Sequence, residues 1–247
     1  TEEIVNKNMR MGIGITGVMM SSEEQLGWLE DCYKALRILD VAYSKEHGFP
    51  ESIKLTTVKP SGTLSLLAGV TSGVHPATSG LHYIRRIRIS AESPLVDVCR
   101  AHGYHVEFQE NFDGSLDKTT FVVEFPCSFP EGTVTADDLT VYEQLDKVKF
   151  MQEKWSDNSV SVTAYYEKGE LPELRKYIEE NFDENFKTLS FLLKSGASGF
   201  KQMPYEEISK EQYDYLRSLV KPITSVDFKE EDMEEMVSCS IGGCPTK

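Results

Sequence analysis

Long apolar runs are missing from this sequence. The longest, such as LSLLAGV at 64–70, fall far short of the roughly 20 residues a membrane-spanning helix needs, so no membrane segment is expected. Basic residues are few as well: 26 Lys and Arg face 40 Asp and Glu, a formal charge of −14, and only RRIR at 85–88 forms a cluster. A nucleic-acid face is therefore not expected. The opening stretch, TEEIVNKNMR, has no initiating Met, no apolar run and no small-residue cleavage site; it does not read as a signal peptide but like the middle of something longer. Cysteine is scarce and odd in number, 5 in a long acidic chain, which fits a reducing cytoplasm better than a secreted disulfide framework. His102 and His105 have no third ligand spaced to complete a metal site, so no metal is expected.

What is present suffices for a sizeable core: 247 residues, 40% of them hydrophobic. Helix and strand signals alternate, which suggests βα units in an α/β sheet or barrel. The segment SSEEQLGWLEDCYKALRILDVAYSKEHG opens on a capping pattern and carries Leu26, Leu29, Cys32, Leu36, Leu39 and Tyr43 at helical spacing. Strands are expected at 53–58 (IKLTTV, stopped by Pro60), 82–90 (HYIRRIRIS), 119–128 (TTFVVEFPCS) and 159–166 (SVSVTAYY). Helices are expected at 141–155 and around ESPLVDVCRAHG. Helical stretches follow Leu171, broken at KSGASG and again near Pro222. Adjacent Tyr165 and Tyr166 should face opposite sides of their strand. The alternation likewise puts Arg86 and Arg88 on one face and Arg85 on the other, where ion pairs are as good a reading as ligand contacts.

Three motifs invite chemistry. GIGITG at 12–17 matches the dinucleotide fingerprint G-x-G-x-x-G, but the residues before it are polar and no strand is expected to lead into it. The plain reading is small residues where the chain passes close to a neighbour. KPSGTLSLLAG at 59–69 joins a strand to a helical run. Ser61 or Thr63 could cap that helix, Gly62 would leave the backbone open, and hydroxyls and amides there could hold a phosphate; an ordinary capped turn remains the alternative. The GVTSGVHPATSG that follows is the kind of loop that lines sites, with His75 in it. Finally, SCSIGGCPTK places Cys239 and Cys244 on an acidic tail, where a redox pair, half of a zinc site and an incidental pair of thiols all stay open.

Taken together, TVKPSGTLSLLAGVTSGVHPATSG, YIRRIRIS, WSDNSVSVTAYY and the terminal CSIGGCPTK, in this order, resemble the C-terminal part of adenosylcobalamin-dependent ribonucleotide reductases. The resemblance covers essentially the whole chain. It implies an α/β fold, the second half of a ten-stranded α/β barrel spanning 1–224, followed by a flexible acidic tail at 225–247. It implies that Ser61, Gly62, Thr63, Leu64 and Ser65 bind substrate phosphates and that Cys239 and Cys244 shuttle electrons. It implies adenosylcobalamin as cofactor, a ribonucleoside triphosphate as substrate, and thioredoxin or a similar dithiol as donor. The family's radical cysteine, in a motif resembling Asn-Pro-Cys-Gly-Glu, is absent here, so an N-terminal half is expected as partner. Cys32, Cys99 and Cys127 read as packing or surface thiols. The rival readings are a non-catalytic nucleotide-binding or interaction module and a dinucleotide-dependent oxidoreductase built on GIGITG.

Overall fold

The computed structural model describes residues 2–78, 80–194 and 201–226. In chain order these form α1 (Glu2–Asn8), β1 (Arg10–Gly14), a 3-10 turn (Val18–Met20), α2 (Glu23–Gly27), α3 (Leu29–His47), β2 (Lys54–Thr57), α4 (Leu64–Ala68) and β3 (His82–Ser90). There follow α5 (Leu95–Ala101), β4 (His105–Glu110), β5 (Leu116–Ser128), α6 (Val141–Lys154), β6 (Thr163–Tyr166), α7 (Leu171–Asn185), β7 (Ser190–Leu193), β8 (Tyr205–Glu207) and α8 (Lys210–Leu219). The chain divides into two compact units, each discontinuous in sequence: Thr1–Leu81 with Phe129–Ser198, and His82–Ser128 with Gly199–Lys247.

The first unit is a parallel α/β layer. β1 pairs in parallel with β2 and β6 with β7, and the two pairs are joined where β2 runs on to Val58, which bridges Val160 in parallel. Val58 and Val160 are buried completely or nearly so, as the near-continuous apolar character of a covered parallel strand requires. α6 covers this layer. Thr140 and Glu143 form a reciprocal capping box at its start, and Val141, Leu145, Val148 and Met151 recur at helical spacing on its buried face. Gln144, on the same face, substitutes for a strand neighbour: its amide oxygen accepts from the Tyr165 N–H at 3.1 Å and its nitrogen donates to the Tyr165 carbonyl at 3.3 Å. A buried amide is tolerated there because both of its ends are satisfied.

The second unit is an antiparallel sheet in the order β4-β5-β3-β8, carrying α5 and α8. Arg86, its side chain only 9% exposed, donates to Glu124 on β5 at 2.7 Å and pairs with Glu206 on β8 at 2.6 Å, so one guanidinium ties three neighbouring strands. Burial opposes its charge, but the two carboxylates outweigh burial and hold the guanidinium protonated. The expected ion-pair role of this arginine is what the sheet uses.

Among the described residues the first unit's strands make an open array, in which β1 pairs with β2 alone and β7 with β6 alone, and no closed barrel forms. The structure corrects several expectations of local structure. The long helix expected from Ser22 onward is divided at Trp28, whose N–H reaches the carbonyls of Gln25 and Leu26 in a tightened turn, and the cap at Ser22 is completed by Gln25. Its apolar stripe is only half used. Leu29 and Leu36 pack on the core beside Tyr33, whereas Leu39 and Tyr43 are 61% and 55% exposed and Cys32 is exposed. The inward face continues through Arg37, Asp40 and Ser44 instead, because a 3.6-residue turn drifts off a 3.5-residue stripe and the polar groups there find partners. α1, β1, β4, β7 and β8 were not expected from sequence. The tail at 227–247, with Cys239 and Cys244, lies outside the described residues.

Candidate functional site

The turn after β2 stands at the carboxyl end of a parallel strand, the end where open α/β sheets hold ligands. Pro60 stops the strand, and Ser61 adopts a left-handed backbone with φ of +38°, uncommon for a residue with a side chain. Its carbonyl accepts the Ser65 N–H at 3.0 Å, closing the turn into α4. Its hydroxyl lies 2.7 Å from the Thr16 hydroxyl. That contact takes the place of the expected cap: Thr63 is the N-cap residue of α4, yet no side chain caps the helix. α4 itself has only five residues, so its dipole is slight and the donors that matter are local amides and hydroxyls. Thr63 and Leu64 are exposed, and neither amide makes a backbone hydrogen bond among the described residues. A side chain added at Gly62 would meet only the Ser72 hydroxyl, at 3.9 Å, so that side of the turn is open. Ser65 differs from its neighbours: it is 1% exposed and its hydroxyl is engaged with that of Ser72 at 3.2 Å. The turn therefore exposes Thr63 and Leu64, leaves Ser61 and Gly62 half-buried, and keeps Ser65 as a support.

GIGITG builds the wall behind this turn. β1 ends inside the motif at Gly14, and a 3-10 turn follows, so the strand-turn-helix frame of a dinucleotide site is absent. Gly17, at φ +73°, would bring a Cβ to 3.0 Å from Val70, the close passage that the plain reading of the motif anticipated. Thr16 is the contact point. Besides Ser61, its hydroxyl receives the Gly73 N–H at 2.8 Å and lies 3.1 Å from the Thr71 carbonyl. Gly73, at φ +53°, sits so near the strand end that a Cβ would fall 2.4 Å from the Lys59 carbonyl oxygen. The Thr71 hydroxyl, in the same turn, is buried without a hydrogen-bond partner among the described residues.

His75 is structural. The Thr163 N–H can only donate, so Nε2 at 2.9 Å is the bare nitrogen and Nδ1 carries the proton to the Ser72 carbonyl at 3.0 Å. Both nitrogens are thus spent, tying the loop to β6, and burial lowers the ring's pKa from its usual 6.5. A neutral, depressed histidine contributes stability that is complete above the unfolded value and lost as pH falls from about 6.5 through the folded one. Urea midpoints measured from pH 7.5 down to 5 should fall over that range, and His75→Asn should flatten the fall. An unchanged slope in that variant would show that other groups set it.

Asp157, in the WSDNS stretch, locks the amino end of this layer. Its carboxylate accepts from the Tyr33 hydroxyl at 2.7 Å, Arg37 at 2.7 Å and the Leu55 N–H at 2.8 Å. Burial pulls its pKa up, but these donors together overcome burial and hold it below the usual carboxylate range. Asn158 donates to the carbonyls of Met11 and Thr56, both at 2.8 Å, so β1 and β2 are fixed by one side chain.

The other candidates fall away. Cys99 is buried in α5, and burial pushes the thiols of Cys99 and Cys127 up, so neither is poised as a thiolate. His102 Nδ1 donates to the Val98 carbonyl at 2.8 Å, His105 faces Glu107 at 3.5 Å, and no cluster of three or more potential metal ligands occurs among the described residues. Tyr165 and Tyr166 diverge as alternation requires: the Tyr165 ring reaches Thr78, while Tyr166 meets Phe191 edge-on. A cavity of about 520 Å³ in the second unit has Arg100, His105 and Glu124 on its walls, but each already faces a partner in Asp97, Glu107 and Arg86. Sequence reasoning missed Thr16, Ser72 and Gly73. The one available signal was the Gly-rich spacing of both segments, which marks close backbone passage without saying between which strands.

No family model matches the chain. It is 40% identical over 238 residues to a protein of Dictyostelium discoideum named "Probable adenosylcobalamin-dependent ribonucleoside-triphosphate reductase", an alignment that spans 93% of this chain and 30% of that protein. It is 37% identical over 244 residues to the adenosylcobalamin-dependent ribonucleoside-triphosphate reductase of Euglena gracilis, spanning 95% of this chain and 33% of the relative. The protein of the same name from Lactobacillus acidophilus is 31% identical, with 100% of this chain and 38% of the relative aligned. The crystal structure of a B-12 dependent (class II) ribonucleotide reductase superposes with a TM-score of 0.76 at 28% identity, over 97% of this chain and 36% of that one. The chain thus spans about a third of the length of the relatives it matches.

Proposed function

We propose that this chain, a homologue of those reductases along nearly all of its length, is one part of an adenosylcobalamin-dependent ribonucleotide reductase. The reaction is removal of the ribose 2′-hydroxyl from a ribonucleoside triphosphate by radical chemistry. The observation that carries the reading is the match of fold and sequence together over 97% of the chain to a class II reductase. Residues 1–224 then form the body, and the open edges of β1 and β7 are where the remaining strands of a ten-stranded barrel continue. An N-terminal half supplies the radical cysteine. The turn Ser61, Gly62, Thr63, Leu64 and Ser65 holds the substrate's phosphates, chiefly through the exposed Thr63 and Leu64 and the Ser61 and Thr63 hydroxyls, with Ser65 as the buried support. Residues 225–247 serve as an acidic arm on which Cys239 and Cys244 carry electrons from thioredoxin or a similar dithiol. The setting for such a donor is the cytoplasm.

The cofactor, when bound, supplies the radical by homolysis of its cobalt–carbon bond. The described residues offer it little: His75 has both nitrogens engaged, and no ligand cluster is present among them. Its contacts are assigned to the rest of the enzyme, and this chain's own part is phosphate binding and electron delivery.

The test combines the chain with the remaining two thirds of a matching reductase, adenosylcobalamin, a nucleoside triphosphate and a dithiol. Deoxynucleotide should form only when this chain is present. A mixture that binds nucleotide and yields no deoxynucleotide would leave a binding module, and reduction of a nicotinamide cofactor by the chain would favour a dinucleotide enzyme instead.

A further inference from the structure

We infer that Thr16 is a positioning residue for nucleotide phosphate, setting the direction in which the Ser61 hydroxyl donates. The inference rests on reading residues 61–65 as the phosphate turn. A threonine hydroxyl has one proton and two lone pairs. The Gly73 N–H, 2.8 Å away, can only donate to it, and the Thr71 carbonyl, 3.1 Å away, can only accept. Ser61, 2.7 Å away, can do either. Two arrangements satisfy these contacts. In the first, Thr16 donates to Thr71 and Ser61 spends its proton on Thr16, so Ser61 shows only lone pairs to the outside and repels an anion. In the second, Thr16 donates to Ser61, whose own proton is then free for a phosphate oxygen.

The second arrangement costs little, because the Thr71 carbonyl still accepts the Gly17 N–H at 2.9 Å. An incoming phosphate selects it, and no atom moves except the two hydroxyl protons. The backbone supports the same conclusion. Ser61 holds a left-handed conformation that a side chain ordinarily avoids, and such a conformation persists only where its surroundings fix it. Thr16, reaching from a segment 45 residues earlier, is the hydroxyl that meets Ser61 there.

The experiment measures steady-state reduction of a nucleoside triphosphate by the assembled reductase carrying Thr16→Val, Thr16→Ser, Ser61→Ala or the Val/Ala pair. Thr16→Val should raise KM about tenfold or more, the factor carried by a hydrogen bond to a charged group, with kcat changed less than about twofold. Thr16→Ser should restore KM. The double variant should be no worse than Ser61→Ala, since both changes remove one interaction. A KM unchanged in Thr16→Val while Ser61→Ala raises it overturns the positioning role and leaves the phosphate turn standing. A KM unchanged in Ser61→Ala itself removes the phosphate turn. Additive losses in the double variant also overturn the relay. Should Thr16→Val fail to fold, Thr16→Cys keeps a weak donor in nearly the same volume and should raise KM severalfold; no rise there overturns the proposal too.

Discussion

Serine at Cys239 or Cys244 should leave a single turnover driven by a small dithiol intact and reduce thioredoxin-driven turnover to background. In the proposed reaction each ribonucleotide reduced would take two electrons from a cysteine pair of the assembled reductase and leave a buried disulfide, beyond the reach of a protein donor. A thiolate of the proposed Cys239–Cys244 pair would attack that disulfide, forming a mixed disulfide and releasing one buried thiolate. The second would attack the mixed bond, freeing the other buried thiol and leaving the pair oxidised for a dithiol donor such as thioredoxin to reduce. Gly242 and Gly243 let the two cysteines close to the roughly 4.4–6.8 Å Cα separation that a disulfide requires. With either thiol gone the exchange stops halfway, and small dithiols bypass the arm. Counting deoxynucleotides per enzyme under each reductant checks this; a serine variant with full thioredoxin-driven turnover would retire the shuttle.

Gly73→Ala should lower stability by on the order of 3 kcal/mol and weaken triphosphate binding together, because one atom injures two things. Left-handed backbone costs alanine about 1 kcal/mol relative to glycine. The larger part is the 2.4 Å approach of the new Cβ to the Lys59 carbonyl, which can be relieved only by pushing the strand end away from the turn. That movement withdraws the Gly73 N–H from Thr16 and the Gly73 carbonyl from the Val18 N–H. Gly132 is the matching control: φ is +81° there, yet nothing lies within 4 Å of an added Cβ, so Gly132→Ala should cost only the backbone part, about 1 kcal/mol. Denaturant midpoints separate the two, and equal losses would mean that the close approach is unimportant.

What the sequence revealed and what it hid follow from where each signal is stored. β3 was legible over its whole length because HYIRRIRIS alternates β-branched and charged residues, and α6 because its cap, its spacing and its buried face agree. β1 was hidden by the two glycines within its five residues, which look unlike a strand. β7 and β8 are three or four residues long and hold no fully buried side chain, so periodicity had nothing to register. In the site, the turn itself was legible from Pro60 and Gly62. Thr16 was not, since its partners lie 45 to 57 residues away and hydroxyl contacts leave no local pattern. The same holds for Asp157, more than a hundred residues from Leu55 and Arg37.

The two units are threaded through one another in chain order: β3 to β5 of the second fall between β2 and β6 of the first, and β8 comes after β7. Strand β2 therefore leaves the ribosome long before Val160, which bridges Val58 just beyond its end, and must wait with that side uncovered while the antiparallel pairing of β5 with β3 and β4 can already form. Neither layer is finished until most of the described chain has been made, and the uncovered edge at Val58 is the surface a chaperone has most reason to shield during the interval.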